Sequence, residues 1–108
     1  MGKKVINKKA MFLAASTSGI VRYAAGAEDA AVTSVEYDSR KVKAGTMFVA
    51  VKGFSADGHA YVRGAVDSGA SAIAVSAGRV NDFLDLSSRA AVYSYSDARR
   101  ALSLLSAA

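Results

Sequence analysis

The run Met47-Phe48-Val49-Ala50-Val51 constrains the fold of this 108-residue chain more than any other feature of its sequence. It is uninterrupted and apolar, and it lies between a turn at residues 43–46 and a glycine-bounded loop at residues 52–59. Such a run is typical of a strand that is covered on both faces of its sheet. Because that coverage comes from helices above and below the sheet, the run predicts a three-layer α/β fold.

Shorter patterns on either side of this run predict alternating strands and helices. Strands are predicted over residues 19–24, 32–37, 47–51, 72–75 and 91–93, and helices over residues 5–16, 60–68 and 97–105. This order favours right-handed crossovers between parallel strands. The sequence therefore predicts a largely parallel or mixed sheet of about five strands with helices on both faces, and 47–51 as its central strand.

Each predicted helix has an expected buried face, and in the helix over residues 97–105 it consists of Ala98, Ala101, Leu102 and Leu105. In the helix over residues 60–68, Tyr61, Val62, Ala65 and Val66 share one helical stripe. In the helix over residues 5–16, the expected core contacts are Val5, Ile6, Met11, Phe12 and Leu13. We assign residues 1–18 to a basic N-terminal segment and residues 19–108 to the folded domain.

Composition excludes several kinds of site. The chain has no cysteine and a single histidine, so it offers neither a thiolate zinc site nor a histidine cluster. We therefore expect no metal site. The longest apolar run, Ala10–Ala15, is far shorter than the roughly 18 to 20 residues that span a bilayer, so no membrane association is expected.

The formal net charge of +5 is concentrated at one end of the chain. Lysines occupy positions 3, 4, 8 and 9, whereas residues 11–108 carry 10 basic and 9 acidic side chains. Nucleic-acid binding needs lysine and arginine clustered on a folded face, so we interpret the run as a solvated terminus and expect no nucleic-acid partner. A nucleic-acid-binding protein that uses this run is the alternative, and its mark is retention on heparin that is lost on deleting residues 1–9.

Motifs for nucleotide hydrolysis or catalysis are absent from the sequence. The pairs Gly53/Gly58 and Gly64/Gly69 have phosphate-loop spacing, but neither is followed by the lysine and hydroxyl residue that hold phosphate and magnesium. Asp38 lies beside Arg40, which favours an internal ion pair over a catalytic acid. No nucleophile and no general base are assigned, and no cofactor is expected in this chain.

Two loops are the candidate binding site. Residues 38–40 and 53–59 each follow the carboxyl end of a predicted strand, and parallel strands place such loops side by side. In open α/β sheets this crevice is where ligands bind. Ser39 offers a hydroxyl, Phe54 an aromatic face and Ala56 a small residue. These groups suit a flat polar heterocycle.

A longer pattern joins these loops. It consists of Asp38-Ser39-Arg40, a turn glycine, a strand that ends Phe48-Val49-Ala50, then Gly53, Asp57-Gly58-His59 and Gly69-Ala70. Over about residues 32–75 the chain resembles the N-terminal domain of the Mur ligases, and a looser similarity extends over residues 92–105. It is most similar to the MurE type, which joins the third amino acid to UDP-N-acetylmuramoyl-L-alanyl-D-glutamate in peptidoglycan synthesis. The MurF type shares much of the pattern.

The resemblance implies a role and a set of contact residues. The role is to hold the uridine end of the UDP-linked muramoyl peptide in a cytoplasmic, ATP- and magnesium-dependent ligase. The implied UDP contacts are Tyr37, Ser39, Phe54, Ser55 and Ala56. In the family, ATP and the incoming amino acid are handled by central and C-terminal domains, and this sequence matches only the first domain. We therefore expect a monomeric domain that acts with the remaining domains of its parent ligase. The other alternative is a non-enzymatic α/β binding or interaction module.

We predict no ATP turnover by this chain, because neither glycine pair supplies the groups that position phosphate and magnesium. The measurement is magnesium-dependent phosphate release from purified protein. Release that scales with protein concentration and survives repurification contradicts the prediction.

Overall fold

The computed structural model describes residues 8–53 and 56–107. In chain order, the strands are β1 (Lys8–Lys9), β2 (Val21–Ala25), β3 (Ala31–Val32), β4 (Ser34–Glu36), β5 (Thr46–Val49), β6 (Ala72–Ser76) and β7 (Ala91–Tyr95). The α-helices are α1 (Ala10–Ala15), α2 (Val62–Asp67) and α3 (Ala98–Ala107), and 3-10 segments cover Ser39–Lys41, Gly58–Tyr61 and Ala77–Ser88. Within the described ranges, no helix has the length and apolar character needed to cross a membrane.

One mixed sheet of five strands, in the order β2-β7-β6-β5-β4, organises the molecule. Strands β4 to β7 pair in parallel, and β2 joins antiparallel to β7 at one edge. The predicted α/β class and mixed sheet are confirmed. The prediction that residues 47–51 form the central strand is wrong, because β6 holds that place and β5 lies between β6 and β4. Strands β1 and β3 form a separate two-residue antiparallel pair.

The side chains of β5 alternate between two hydrophobic cores, one on each face of the sheet. Met47 and Val49 belong to the core that α1 and α3 cover, which also includes Leu13 and Leu105. Phe48 belongs to the core that α2 and the 77–88 segment cover. Every residue of β5 is buried, which explains why its sequence shows no polar alternation. Helices on both faces are thereby confirmed.

The N-terminal region differs from its prediction. The helix begins at Ala10 rather than at residue 5, because Lys8 and Lys9 pair as a strand with β3. Their side chains are exposed, but their backbone is part of the fold and not a free terminus. Leu13 is fully buried as expected, whereas Phe12 is 58% exposed and is not a core residue. The predicted contacts Val5 and Ile6 lie outside the described residues.

Two further departures have one cause, the tighter winding of 3-10 segments. A 3-10 helix has 3.0 residues per turn instead of 3.6, so its buried positions recur every third residue. The segment over residues 77–88, where no element was predicted, packs Val80, Phe83 and Leu86 at that spacing. Tyr61 ends another 3-10 segment and is 48% exposed, so its predicted place in the buried stripe is wrong.

The packing of α1 predicts opposite outcomes for two adjacent substitutions. We expect Leu13→Ala to lower the free energy of unfolding by about 2–5 kcal/mol, because it opens a cavity in the core. Phe12→Ala removes an exposed ring and is expected to change that free energy by less than about 0.5 kcal/mol. The measurement is urea denaturation of both variants. Equal losses contradict the placement of α1.

Candidate functional site

A cleft of about 560 Å³ opens where the chain leaves the carboxyl ends of β4 and β5. One wall is the Asp38-Ser39-Arg40 turn, which comes after β4 and Tyr37. The other is the loop that leaves β5 and leads into α2. The lining residues are Tyr37, Asp38, Ser39, Arg40, Val51, Gly53, Ala56, Gly58 and Tyr61. The two loops that the sequence singled out therefore meet, as parallel pairing requires.

The first wall contains a bidentate ion pair and a cap hydrogen bond within the same turn. Arg40 donates from Nε and Nη2 to the two carboxylate oxygens of Asp38, at 3.0 and 2.8 Å. The backbone N–H of Arg40 donates to the same carboxylate and caps the 3-10 segment. The side-chain hydrogen bonds from Arg40 lower the pKa of Asp38 to about 2. The pair confirms the expected structural role of Asp38 and leaves Ser39 in the lining of the cleft.

The second wall depends on a close approach of two backbone segments. Gly58 N donates to Val51 O at 2.8 Å, and Gly53 N donates to Ala56 O at 2.8 Å. A Cβ at position 58 would lie 2.6 Å from the Val51 nitrogen, which real Cβ atoms essentially never do. Because glycine has no Cβ, the backbone at position 58 can approach Val51 this closely, and the two ends of the loop meet.

His59 fastens this loop to the sheet. Its ring is buried, and its Nδ1 lies 2.7 Å from Asp57 Oδ1. The backbone N–H of Ser76, at the carboxyl end of β6, donates to His59 Nε2 at 3.0 Å. Hydrogen bonds from the backbone and side chain of His59 lower the pKa of Asp57. His59 is thus hydrogen-bonded at the start of the 3-10 segment Gly58–Tyr61.

Two contacts between residues that are far apart in the sequence support the same edge of the sheet. The buried hydroxyl of Tyr95, on β7, donates to Ala50 O at 2.6 Å and so spans β6. Burial raises the pKa of this tyrosine. Arg79 Nη1 lies 3.4 Å from Asp57 Oδ2, and the Cζ atom of Arg79 lies 5.7 Å from the Phe83 ring centroid. The loop after β5 is thus hydrogen-bonded to β6 and β7, and the Arg79 contact with the 77–88 segment is the weaker one.

The structure brings together every predicted site residue that it describes. Tyr37, Ser39 and Ala56 line the cleft, while Phe54 and Ser55 lie outside the described residues. Sequence reasoning missed Tyr61, whose ring is half-exposed on the second wall. The signal available for it was its position two residues after His59, on the first turn after the loop.

Metal chemistry finds no support in the described part of the chain. Over residues 8–53 and 56–107, no three histidine, cysteine, aspartate or glutamate side chains converge on a point where an ion can bind. The carboxylates at the cleft, Asp38 and Asp57, are each paired with a neighbouring base. The lining of the cleft includes the Ser39 hydroxyl, the Tyr37 and Tyr61 rings, the Asp38–Arg40 ion pair and glycine backbone.

Comparison with known proteins decides the family. The sequence model described as "Mur ligase family, catalytic domain" matches residues 31–108, the part of the chain that contains the cleft. The chain belongs to the Mur ligase family. Its D-S-R turn and D-G-H loop are thus the two walls of the cleft in a Mur ligase domain.

The curated relatives of this Mur ligase chain are UDP-N-acetylmuramoyl-L-alanyl-D-glutamate--2,6-diaminopimelate ligases. The enzyme from Bacillus licheniformis is 55% identical over 49 residues, 45% of this chain and 10% of the relative. That from Clostridium botulinum is 40% identical over 77 residues, 69% of this chain and 15% of the relative. That from Syntrophomonas wolfei is 38% identical over 82 residues, which are 76% of this chain and 16% of the relative. The match spans about a sixth or less of their length.

Solved structures show the same fold. A crystal structure of MurF from Acinetobacter baumannii superposes with a TM-score of 0.66 over 93% of this chain and 20% of that chain, at 23% identity. A second crystal structure of that protein has the same TM-score and identity over 94% of this chain. The fold of this Mur ligase domain is therefore shared with MurF.

The close approach at Gly58 predicts a sharp contrast between two glycines. We expect Gly58→Ala to destabilise the fold by about 1–3 kcal/mol, because its Cβ collides with the Val51 backbone. Gly64 lies within α2 with no atom in the way, so Gly64→Ala should stabilise by about 0.5–1 kcal/mol. Chemical denaturation measures both. Equal effects of the two substitutions would mean that the loop does not close on Val51.

Proposed function

We propose that this chain is the uridine-binding domain of a MurE-type ligase. On this proposal, the cleft holds the uridine end of UDP-N-acetylmuramoyl-L-alanyl-D-glutamate, and the parent enzyme uses ATP and magnesium to add the third amino acid. The observation that carries the proposal is the meeting of the D-S-R turn and the A-D-G-H loop in one cleft. The names of the curated relatives support the reaction class.

The chemistry of the cleft suits a nucleoside. Uracil is planar with polar edges, so it binds best between an aromatic face and hydrogen-bonding groups. Tyr37 and Tyr61 are 62% and 48% exposed, one on each wall, although rings of this size are usually more buried. The hydroxyl of Ser39 can both donate and accept. A base that covers these rings removes apolar surface from water and gains stacking energy.

The loop after β5 supplies the other proposed contacts. Ala56 lines the cleft beside Gly58, where a small residue lets a ligand approach the backbone. Phe54 and Ser55 precede it in the sequence and complete the proposed set with Tyr37 and Ser39. Stacking of a base on an aromatic ring is worth roughly 1–3 kcal/mol.

The two candidate parent ligases differ in the peptide that is attached to the uridine end of the substrate. A MurF-type parent is favoured by one observation, the fold shared with MurF at a TM-score of 0.66. The sequence relatives favour the MurE type, because they are diaminopimelate ligases at 38–55% identity. Both parents are cytoplasmic enzymes on this proposal, and the domain is monomeric and acts with the other domains of its ligase.

UDP titration monitored by NMR tests the proposal. We expect amide shifts to cluster at residues 37–40 and 53–58, with a Kd of about 1 mM, equivalent to about −4 kcal/mol. Ser39→Ala and Phe54→Ala should each weaken binding about fivefold or more, through a lost hydrogen bond or a lost stacking face. The matched controls are Ser88→Ala and Phe12→Ala, at exposed positions outside the lining of the cleft.

Two results contradict the proposal. One is UDP at tens of millimolar that moves no resonance in either loop. The other is equal weakening by the site variants and their controls. Salt-dependent retention on heparin that is lost on deleting residues 1–9, in a chain that does not bind UDP, supports the nucleic-acid alternative instead.

A further inference from the structure

The described residues of the loop after β5 are hydrogen-bonded to the sheet at the two ends of the loop. At its start, Ala50 N donates to Ala74 O at 2.9 Å and Ala50 O accepts from the Tyr95 hydroxyl at 2.6 Å. Among the described residues from Val51 to His59, the bonds Gly58 N to Val51 O and Gly53 N to Ala56 O stay within the loop. Apart from the helical bonds to residues 60–62, two bonds of these described residues leave the stretch, one from Ser76 N to His59 Nε2 and one from Arg79 to Asp57. The Arg79 contact is 3.4 Å long and lies between exposed groups, so it adds little. The His59 bond therefore joins the far end of the loop to β6, as the bonds of Ala50 join its start to β6 and β7.

We propose that His59 is a positioning residue for the cleft. Its imidazole, as the Nδ1–H tautomer, holds the loop against the carboxyl end of β6 and so sets the affinity for the nucleotide without touching it. The identity of the ligand rests on the function proposed above. The role of His59 rests on contacts that the structure itself contains.

The hydrogen-bond partners determine the tautomer. The backbone nitrogen of Ser76 can only donate, so His59 Nε2, at 3.0 Å, must be the acceptor. The proton of the neutral ring is then on Nδ1, which donates to Asp57 Oδ1 at 2.7 Å. The residue is 6% exposed, and its ring lies 6.0 Å from the Phe83 ring and 6.4 Å from the Tyr95 ring, centroid to centroid. Packing and hydrogen bonding thus select one orientation.

A displacement of His59 affects the cleft through the residues just before it in the sequence. Asp57 accepts from both the backbone and the ring of His59, so it moves together with the ring. Its neighbours, Ala56 and Gly58, line the cleft. If the His59 ring loses its hydrogen bond from Ser76 N, the wall that Ala56 and Gly58 line is therefore displaced relative to Ser39 on the other wall.

Two substitutions of His59 each keep one of its two ring hydrogen bonds and remove the other. Gln places its amide oxygen near the position of Nε2, so His59→Gln keeps an acceptor for Ser76. Asn places its amide nitrogen near the position of Nδ1, so His59→Asn keeps a donor for Asp57 but loses the tie to β6. Both lose the ring and its packing, so each serves as the stability control for the other.

The test measures the affinity for UDP and the melting temperature of both variants. We expect similar decreases in melting temperature, a Kd for His59→Gln within about twofold of wild type, and a Kd for His59→Asn about fivefold weaker, the factor for one ordinary hydrogen bond. The proposal is overturned if the two variants bind UDP equally, or if His59→Gln binds more weakly.

A second measurement needs neither variant to fold. Nitrogen-15 NMR of the wild-type imidazole should show a protonated Nδ1 and an unprotonated Nε2, and the opposite tautomer overturns the proposal. If wild-type protein does not bind UDP, the proposed function fails. The role of His59 is then judged from the amide resonances of Ala56 and Gly58, which should move further in His59→Asn than in His59→Gln; equal shifts in the two variants overturn it.

Discussion

Parallel pairing of β4, β5 and β6 is the constraint on which the rest of the structure depends. In a parallel sheet, the carboxyl ends of neighbouring strands lie at one edge, so the segments that leave them are neighbours in space. The register Val35 to Met47 and Phe48 to Ile73 fixes this arrangement. The cleft, its two walls and the His59 contact all lie at this edge. Two buried cores, one on each face, hold the strands in that register.

The loops at this edge are short and strongly tied, which suits ligand binding. The Asp38–Arg40 pair fixes one wall, and Gly58, His59 and the Tyr95 hydroxyl fix the other. A wall that is fixed before the ligand arrives loses less conformational entropy on binding, so more of the contact energy contributes to affinity. Most side chains of the two motifs are therefore structural, while Ser39, Tyr37 and Tyr61 line the cleft.

Much of this was predictable because α/β folds arise from local patterns. The apolar run from Met47 to Val51 indicates burial on both faces, and the strand within it is buried throughout. It does not indicate the order of strands, since β5 and β6 are covered alike and only the crossovers decide which is central. For this reason the sheet was predicted correctly and its central strand was not.

In the candidate site, too, some features follow from local sequence patterns and others depend on tertiary structure. The loops were found from sequence because they come after strand ends, and the Asp38–Arg40 pair because its members are two residues apart. The bond between His59 and Ser76 spans 17 residues and depends on tertiary structure, so no local pattern indicates it. Tyr61 and the 77–88 segment were misread because their winding is 3-10 and the helical period of 3.6 does not apply.

On the proposed function, the two walls of the cleft bind one uridine between them. Intermolecular NOEs measure this directly, in a complex of UDP with isotope-labelled protein. We expect NOEs from the uracil ring protons to side chains on both walls, Tyr37 on one and Ala56 or Tyr61 on the other. NOEs to one wall alone, or to residues outside the cleft such as Arg22 and Ser94 at the β2 side of the sheet, would contradict it.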